Sequence, residues 1–299
     1  MALLIDTDPG CDDALAILLA LESDLDVVGL TTVAGNAPVE DTTENALSIL
    51  DFLDSDLPVA RGADRPFVKR QETAEFIHGE GGLHGDLPDS ARKPVNTAAA
   101  EFIVERARED GDLTIAAIGP LTNVALALAI EPDLPSYLDE VVVMGGAVRA
   151  PGNRTPAAEA NLHADPDAAS RVLQSARATF VGLGVTTRAT IDPSTLDLRG
   201  ARGETVEEWL TYYPAELKER YGLEHSPIHD AAVIGHLTAD VLDVDRRALE
   251  VDTSEGPCRG ALVADEYGVT GESKNGEVAS SIDVKRFREV LASGIESAL

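Results

Sequence analysis

Short apolar runs alternate with stretches of helical apolar spacing along most of the chain. Ala2-Leu3-Leu4-Ile5 predicts a buried strand that ends in the turn signal Asp6-Thr7-Asp8-Pro9-Gly10, and Asp12 to Leu21 then carries helical spacing. Val27 to Val33 predicts a second strand stopping at Gly35-Asn36, followed by a helix over Asp41 to Leu53 and a short strand around Pro58 to Ala60. A helix near Ala98 to Arg108, a strand over Leu113 to Ile118, a helix from Thr122 and a strand over Glu140 to Met144 continue the series, which halts at Gly145-Gly146. Strands separated by helices predict a mainly parallel sheet with helices on both faces. No repeat, low-complexity tract or long linker interrupts the alternation. The expectation is one large α/β domain over residues 1–299, built on an open Rossmann-like sheet. In such sheets ligands sit beyond the carboxyl ends of the strands.

Two segments break this alternation. Pro66 to Pro94 contains Ile77-His78-Gly79-Glu80-Gly81-Gly82, and Tyr212 to His229 mixes aromatics, charges and Pro227. Irregular stretches this long inside an α/β domain are commonly functional, so 66–94 and 212–229 are candidate lids.

Charge narrows the list of partners. The chain of 299 residues has 53 acidic and 24 basic side chains, a net charge of −29. That balance repels nucleic acid and anionic membranes. The only lysines are Lys69, Lys93, Lys218, Lys274 and Lys285. An acid-rich, lysine-poor surface suits a halophilic, high-salt setting, where counterions screen like charges. Cys11 and Cys258 cannot build a disulfide framework, which fits a reducing cytoplasm. No apolar run is long enough to predict a membrane span.

Asp6, Asp8, Asp12 and Asp13 crowd one predicted strand-to-helix turn. One aspartate there would serve as a helix cap, but four repel one another unless protons or a cation neutralise them. Hard oxygen donors without His/Cys spacing point to calcium or magnesium rather than zinc. A Walker lysine motif and a dinucleotide glycine fingerprint are both missing.

The run Asp6-Thr7-Asp8-Pro9-Gly10-Cys11-Asp12-Asp13-Ala14 resembles the signature of the inosine–uridine-preferring nucleoside hydrolases. Thr32-Val33-Ala34-Gly35-Asn36, Ile77-His78-Gly79-Glu80, Gly119-Pro120-Leu121-Thr122-Asn123, Met144-Gly145-Gly146, then Asn153, Glu159, Asn161 and His229-Asp230 follow in the family's order. Taken singly, Asn153 is a turn residue, Asn36 a loop or capping residue, Glu159 a solvated helix residue, and His78 and His229 ordinary surface or core histidines. The ordered set is what carries the resemblance. It implies hydrolysis of the N-glycosidic bond of ribonucleosides around one calcium ion, by a homo-oligomer such as a dimer or tetramer. It implies further that Asp8, Asp13, Asp230 and the carbonyl of Ile118 hold the ion, and that Asp8 is the general base. Asp12, Asn36, Asn153, Glu159 and Asn161 would grip the ribose, His229 would help the base leave, and His78 would stand near the base.

These residue types suit the chemistry. Positive charge developing on the ribose is stabilised by an acidic pocket, and sugar hydroxyls need both donors and acceptors. The sequence departs from the family pattern at Ala160, where many relatives carry an aromatic, and at Thr187, where many carry histidine. Trp209 is the only tryptophan, so the aromatic sandwich of the purine-specific branch is not expected. Tyr213 and Tyr221 are candidates to close over the base. Two other readings fit parts of the chain. One is a catalytically silent nucleoside or pentose binder; the other is a haloacid-dehalogenase-type phosphatase using Asp6-x-Asp8, for which Lys218 would be a poor partner lysine.

Overall fold

A computed structural model describes residues 1–75, 79–85, 87–212 and 227–299. The first strand, β1 (Ala2–Thr7), leads through Asp8-Pro9-Gly10 into α1 (Cys11–Leu21). The chain then runs through β2 (Asp26–Thr32), α2 (Val39–Phe52), β3 (Val59–Arg61), α3 (Ala99–Asp110), β4 (Leu113–Ala117), α4 (Thr122–Ile130) and β5 (Leu138–Met144). These are the elements expected from the apolar pattern, with ends that shift by one or two residues, as helix and strand ends ordinarily do.

The second half adds α5 (Ala160–Ala164), α6 (Pro166–Ser175), β6 (Ala178–Val181), α7 (Leu183–Thr186), α8 (Gly200–Tyr212), α9 (Ala231–Ala239) and β7 (Leu242–Arg247). After these come β8 (Leu249–Val251), β9 (Leu262–Ala264), β10 (Gly276–Ile282) and α10 (Val284–Ala298). The main sheet has eight strands in the order β3-β2-β1-β4-β5-β6-β10-β7. Only the edge strand β7 runs antiparallel to its neighbour, and β8 and β9 form a separate antiparallel pair. Together they make a single α/β domain with a mostly parallel sheet, as expected.

The two-residue period of the strands sorts the core into two layers. Leu3, Ile5, Ala116, Ile118, Val142, Met144 and Val181 face a layer that includes α1, α2, α8, α9 and α10. Leu4, Ile115, Ala117, Val141, Val143 and Phe180 face the opposite layer with α3, α4, α6 and the β8–β9 pair. Burial on both faces explains why these strands read as continuous apolar runs.

The strand order reverses between β1 and β4. From β1 the chain winds outward to β2 and β3, then returns to place β4, β5 and β6 on the other side. The connections leaving β1 and β4 therefore diverge, and a crevice opens at their carboxyl ends. Asp8 follows β1 there, and Ile118 follows β4. Among the described residues no helix is long and apolar enough to cross a membrane.

Candidate active site

The turn after β1 places four carboxyls at the crevice. Asp13 lies in the first turn of α1 and is fully buried. It accepts hydrogen bonds from Thr7 Oγ1 at 2.5 Å, Gly10 N at 3.0 Å and Asn36 Nδ2 at 3.3 Å. Asp8 Oδ2 accepts from the backbone N–H of Asn36 at 2.7 Å, and the Asn36 side chain donates to the Asp8 carbonyl at 3.0 Å. Asn36 thus clasps the loop after β2 onto the loop after β1.

Backbone without side chains makes room for Asp8. A Cβ on Gly35 would stand 2.0 Å from Asp8 Oδ2, and one on Gly119 would stand 2.6 Å from Asp8 Oδ1. Only glycine lets the loops after β2 and β4 close on this carboxylate from both sides.

Asp230 arrives from the far end of the chain. It precedes α9, which packs against α1, so the N-termini of two helices face one cluster of carboxyls. The positive ends of both helix dipoles favour negative charge there. Carboxylate oxygens of Asp12, Asp13 and Asp230 all lie within 4.8 Å of one another, and Asp8 stands beside this trio. Asp8 and Asp230 are buried, while Asp12 is half-buried.

Burial and mutual repulsion dominate the electrostatics. Removal from water raises the Asp8 and Asp230 carboxyls well above the ordinary range; Asp13 adds most to Asp8 by like charge, and Asp12 adds most to Asp230. Asp12 is pushed up to about 7, by burial first and by Asp13 next. Asp13 is raised less freely, because Thr7 and backbone N–H groups stabilise its anion. Carboxyls this close coexist only with a shared proton or a positive charge between them. Such a proton occupies the place of a positive charge. A cluster of oxygen donors of this kind fits a hard divalent cation.

The sugar-gripping candidates come from the loop after β5. Glu159 precedes α5 and accepts from Asn161 N at 2.8 Å, Leu162 N at 3.2 Å and Gly146 N at 3.2 Å. Burial nevertheless pushes its carboxyl up to about 7. Asn161 Nδ2 donates to the Ile118 carbonyl at 2.8 Å and the Met144 carbonyl at 3.2 Å, bridging the ends of β4 and β5. Asn153 is exposed on the same loop. His229 is buried, and its Nδ1 lies 2.8 Å from Thr186 Oγ1. Burial lowers this imidazole to about 4, so it is neutral near pH 7.

The chain matches the family description "Inosine-uridine preferring nucleoside hydrolase" over residues 3–289. The chain belongs to that family. This nucleoside hydrolase is 36% identical over 294 residues, 95% of its length and 94% of the relative's, to a pyrimidine-specific ribonucleoside hydrolase, RihB, of Escherichia coli O1:K1. Among solved structures, a purine-preferring ribonucleoside hydrolase from Gardnerella vaginalis superposes with a TM-score of 0.93 at 30% identity, covering 100% of this chain and 99% of the other. A plant nucleoside hydrolase, PpNRh1, gives 0.92 at 30% identity, with 99% of each chain covered. The protein is accordingly an enzyme, a ribonucleoside hydrolase.

Among its expected site residues, Asp12, Asp13 and Asp230 come together, with Asp8 and Asn36 bonded alongside. The Ile118 carbonyl accepts from Asn161, another of the expected site residues. His78, Tyr213 and Tyr221 lie outside the described residues, as does most of the 212–229 segment. The described parts of the two expected lids touch: the His84 ring stacks on Tyr212 with centroids 3.5 Å apart and planes at 12°. Thr187, at one of the departures, bonds its hydroxyl to the Leu183 carbonyl at 2.8 Å.

Several contributing residues were not singled out from sequence. Thr7 and Thr186 hold Asp13 and His229. Asn123 Nδ2 bonds Asp6 at 2.8 Å and the Thr32 carbonyl at 2.9 Å, tying β1 to β2 from the head of α4. Asp6 also accepts from Thr31 at 2.6 Å, and its second oxygen has no partner among the described residues.

Proposed function

We propose that this enzyme hydrolyses the N-glycosidic bond of ribonucleosides, purine or pyrimidine, to ribose and free base, and that the reaction depends on calcium. The observation that carries this reading is the convergence of Asp12, Asp13 and Asp230 beside Asp8 at the point where the strand order reverses. Asp8, Asp13, Asp230 and the Ile118 carbonyl would hold the ion. When bound, the cation would return the carboxyls to their ionised forms, anchor sugar hydroxyls and make water a better nucleophile.

The side chains divide the remaining work. Asp8 has one oxygen engaged by Asn36 N–H, which leaves the other to take a proton from the attacking water. Asp12, Asn36, Asn153, Glu159 and Asn161 bind the ribose. The three backbone N–H groups fix the Glu159 carboxylate for that purpose. Positive charge developing on the ribose meets a pocket of anions, which lowers the barrier. His229 aids departure of the base as a neutral imidazole, offering an N–H from the ring nitrogen that does not face Thr186. The carboxylate-lined pocket disfavours substrates that bear a phosphate.

The relatives differ in the base their names carry, pyrimidine for the E. coli enzyme and purine for the G. vaginalis one. Ala160, half-buried at the start of α5, brings little bulk to this wall of the pocket. Homo-oligomeric assembly, a cytoplasmic location and tolerance of high salt complete the proposal; both cysteines are free, Cys11 buried and Cys258 exposed. Release of free base from a panel of purine and pyrimidine ribonucleosides, with added calcium and with chelator, tests the reading. Turnover that appears with calcium and disappears with chelator is expected. Undiminished turnover in chelator, or binding without turnover in calcium, overturns it.

A further inference from the structure

We infer that Asn161 is a positioning residue for the cation, acting through the main-chain carbonyl of Ile118, in addition to any contact it makes with the sugar. This rests on the reading of Ile118 as a cation ligand. The Asn161 amide nitrogen donates to the Ile118 carbonyl at 2.8 Å and the Met144 carbonyl at 3.2 Å. An amide carries two N–H donors on that nitrogen, and the two carbonyls take one each. Turning the amide over would set its oxygen against two carbonyl oxygens, so the orientation follows from the partners alone.

Ile118 is the first residue after β4, where the backbone turns toward Asp8. The next residue, Gly119, is so close to Asp8 that a Cβ would stand 2.6 Å from Oδ1. The Ile118 N–H and the Gly119 N–H both donate to the Asp6 carbonyl, at 2.8 and 3.2 Å, which fixes the peptide from the β1 side. Asn161 fixes its carbonyl from the β5 side. A carbonyl has two lone pairs, so the bond to Asn161 leaves one for a cation and aims it.

With both N–H groups engaged, Asn161 has only its amide oxygen left for substrate. A sugar hydroxyl meeting this side chain acts as a donor. The same residue then links sugar and ion: whatever shifts Asn161 shifts the Ile118 carbonyl with it. Groups that orient metal ligands from behind are commonly worth about 10–100-fold in metal affinity.

The test is calcium affinity by isothermal titration calorimetry on enzyme stripped by chelator, with no nucleoside present. Asn161→Leu keeps the branched four-heavy-atom shape, though bulkier, and removes both donors; Asn161→Ala opens space for a water to replace them. We expect calcium binding to weaken about 10–100-fold in Asn161→Leu and by less in Asn161→Ala, with the cation-free melting temperatures near wild type. If Asn161 only grips sugar, calcium affinity in the absence of nucleoside is unchanged in both variants, and the inference falls. A merely structural role would lower the cation-free melting temperature and leave calcium affinity alone. Should Asn161→Leu not fold, wild-type affinity in Asn161→Ala is sufficient to reject the inference. Absence of calcium binding by the wild-type enzyme overturns the cation reading itself, which distinguishes the two failures.

Discussion

Removing divalent cations should destabilise this enzyme, and the loss should grow with pH. Three carboxylate oxygens within 4.8 Å of one another set the size of the effect. At an effective dielectric constant near 20, each ionised pair at that separation repels by about 3.5 kcal/mol, so three pairs approach ~10 kcal/mol. That is comparable with the whole stability of an ordinary domain, about 5–15 kcal/mol. The cation-free fold therefore keeps protons on the cluster, as the raised carboxyls of Asp8, Asp12 and Asp230 indicate.

The sign follows from linkage. A carboxyl with its folded pKa above 3.8 contributes stability in full below 3.8 and loses it as pH rises through the folded value, about 7 for Asp12. Cation-free enzyme should lose stability between about pH 4 and pH 7 as Asp12 ionises, and the raised carboxyls of Asp8 and Asp230 add loss of the same sign. Calcium at a thousand times its Kd adds about 4 kcal/mol, equivalent to roughly 10 °C in a protein of this size. Thermal melts in calcium and in chelator, from pH 5 to pH 8.5, measure the gap. We expect roughly 10 °C at pH 8 and a few degrees at pH 5, where protons compete for the same oxygens. A gap that is absent, or constant across this range, would refute a cation site at Asp8, Asp13 and Asp230.

Three further outcomes are expected from point variants. Asp8→Asn should lower turnover by several orders of magnitude while ribose still binds in a competition assay; near-normal turnover removes Asp8 as general base. Gly35→Ala should cost about 100-fold or more in kcat, because its Cβ falls 2.0 Å from Asp8 Oδ2, while circular dichroism stays native; a fully active variant would show that Asp8 needs no such precise seat. His229→Ala should slow nucleosides with poorly leaving bases far more than activated aryl ribosides, and an equal loss on both argues against aid to the leaving group.

How much of this was legible in the sequence depended on distance along the chain. The β1–α1 turn was readable because its four aspartates are neighbours and the flanking apolar run is buried on both faces. Edge strand β7, with the sequence LDVDRR and mostly exposed or half-buried positions, has no such run, and β8 and β9 have three residues each. Antiparallel pairing at the sheet edge was accordingly not anticipated. Asp230 and Ile118 entered only through the resemblance, because no spacing rule links them to Asp13. Thr186, in contact with His229 from 43 residues away, and Asn123, holding Asp6 across the strand ends, depend on register and helix placement that no local pattern encodes.

The strand order has a consequence for the chain as it is made. Asp8, Asp12 and Asp13 leave the ribosome at the start of synthesis, and Asp230 follows roughly 200 residues later, an interval of about 10–40 s at ordinary elongation rates. Throughout that interval the nascent turn carries its negative charges without the helix that completes the trio. A product ending before α9 lacks Asp230, so the cluster proposed to hold the cation is incomplete until late in synthesis.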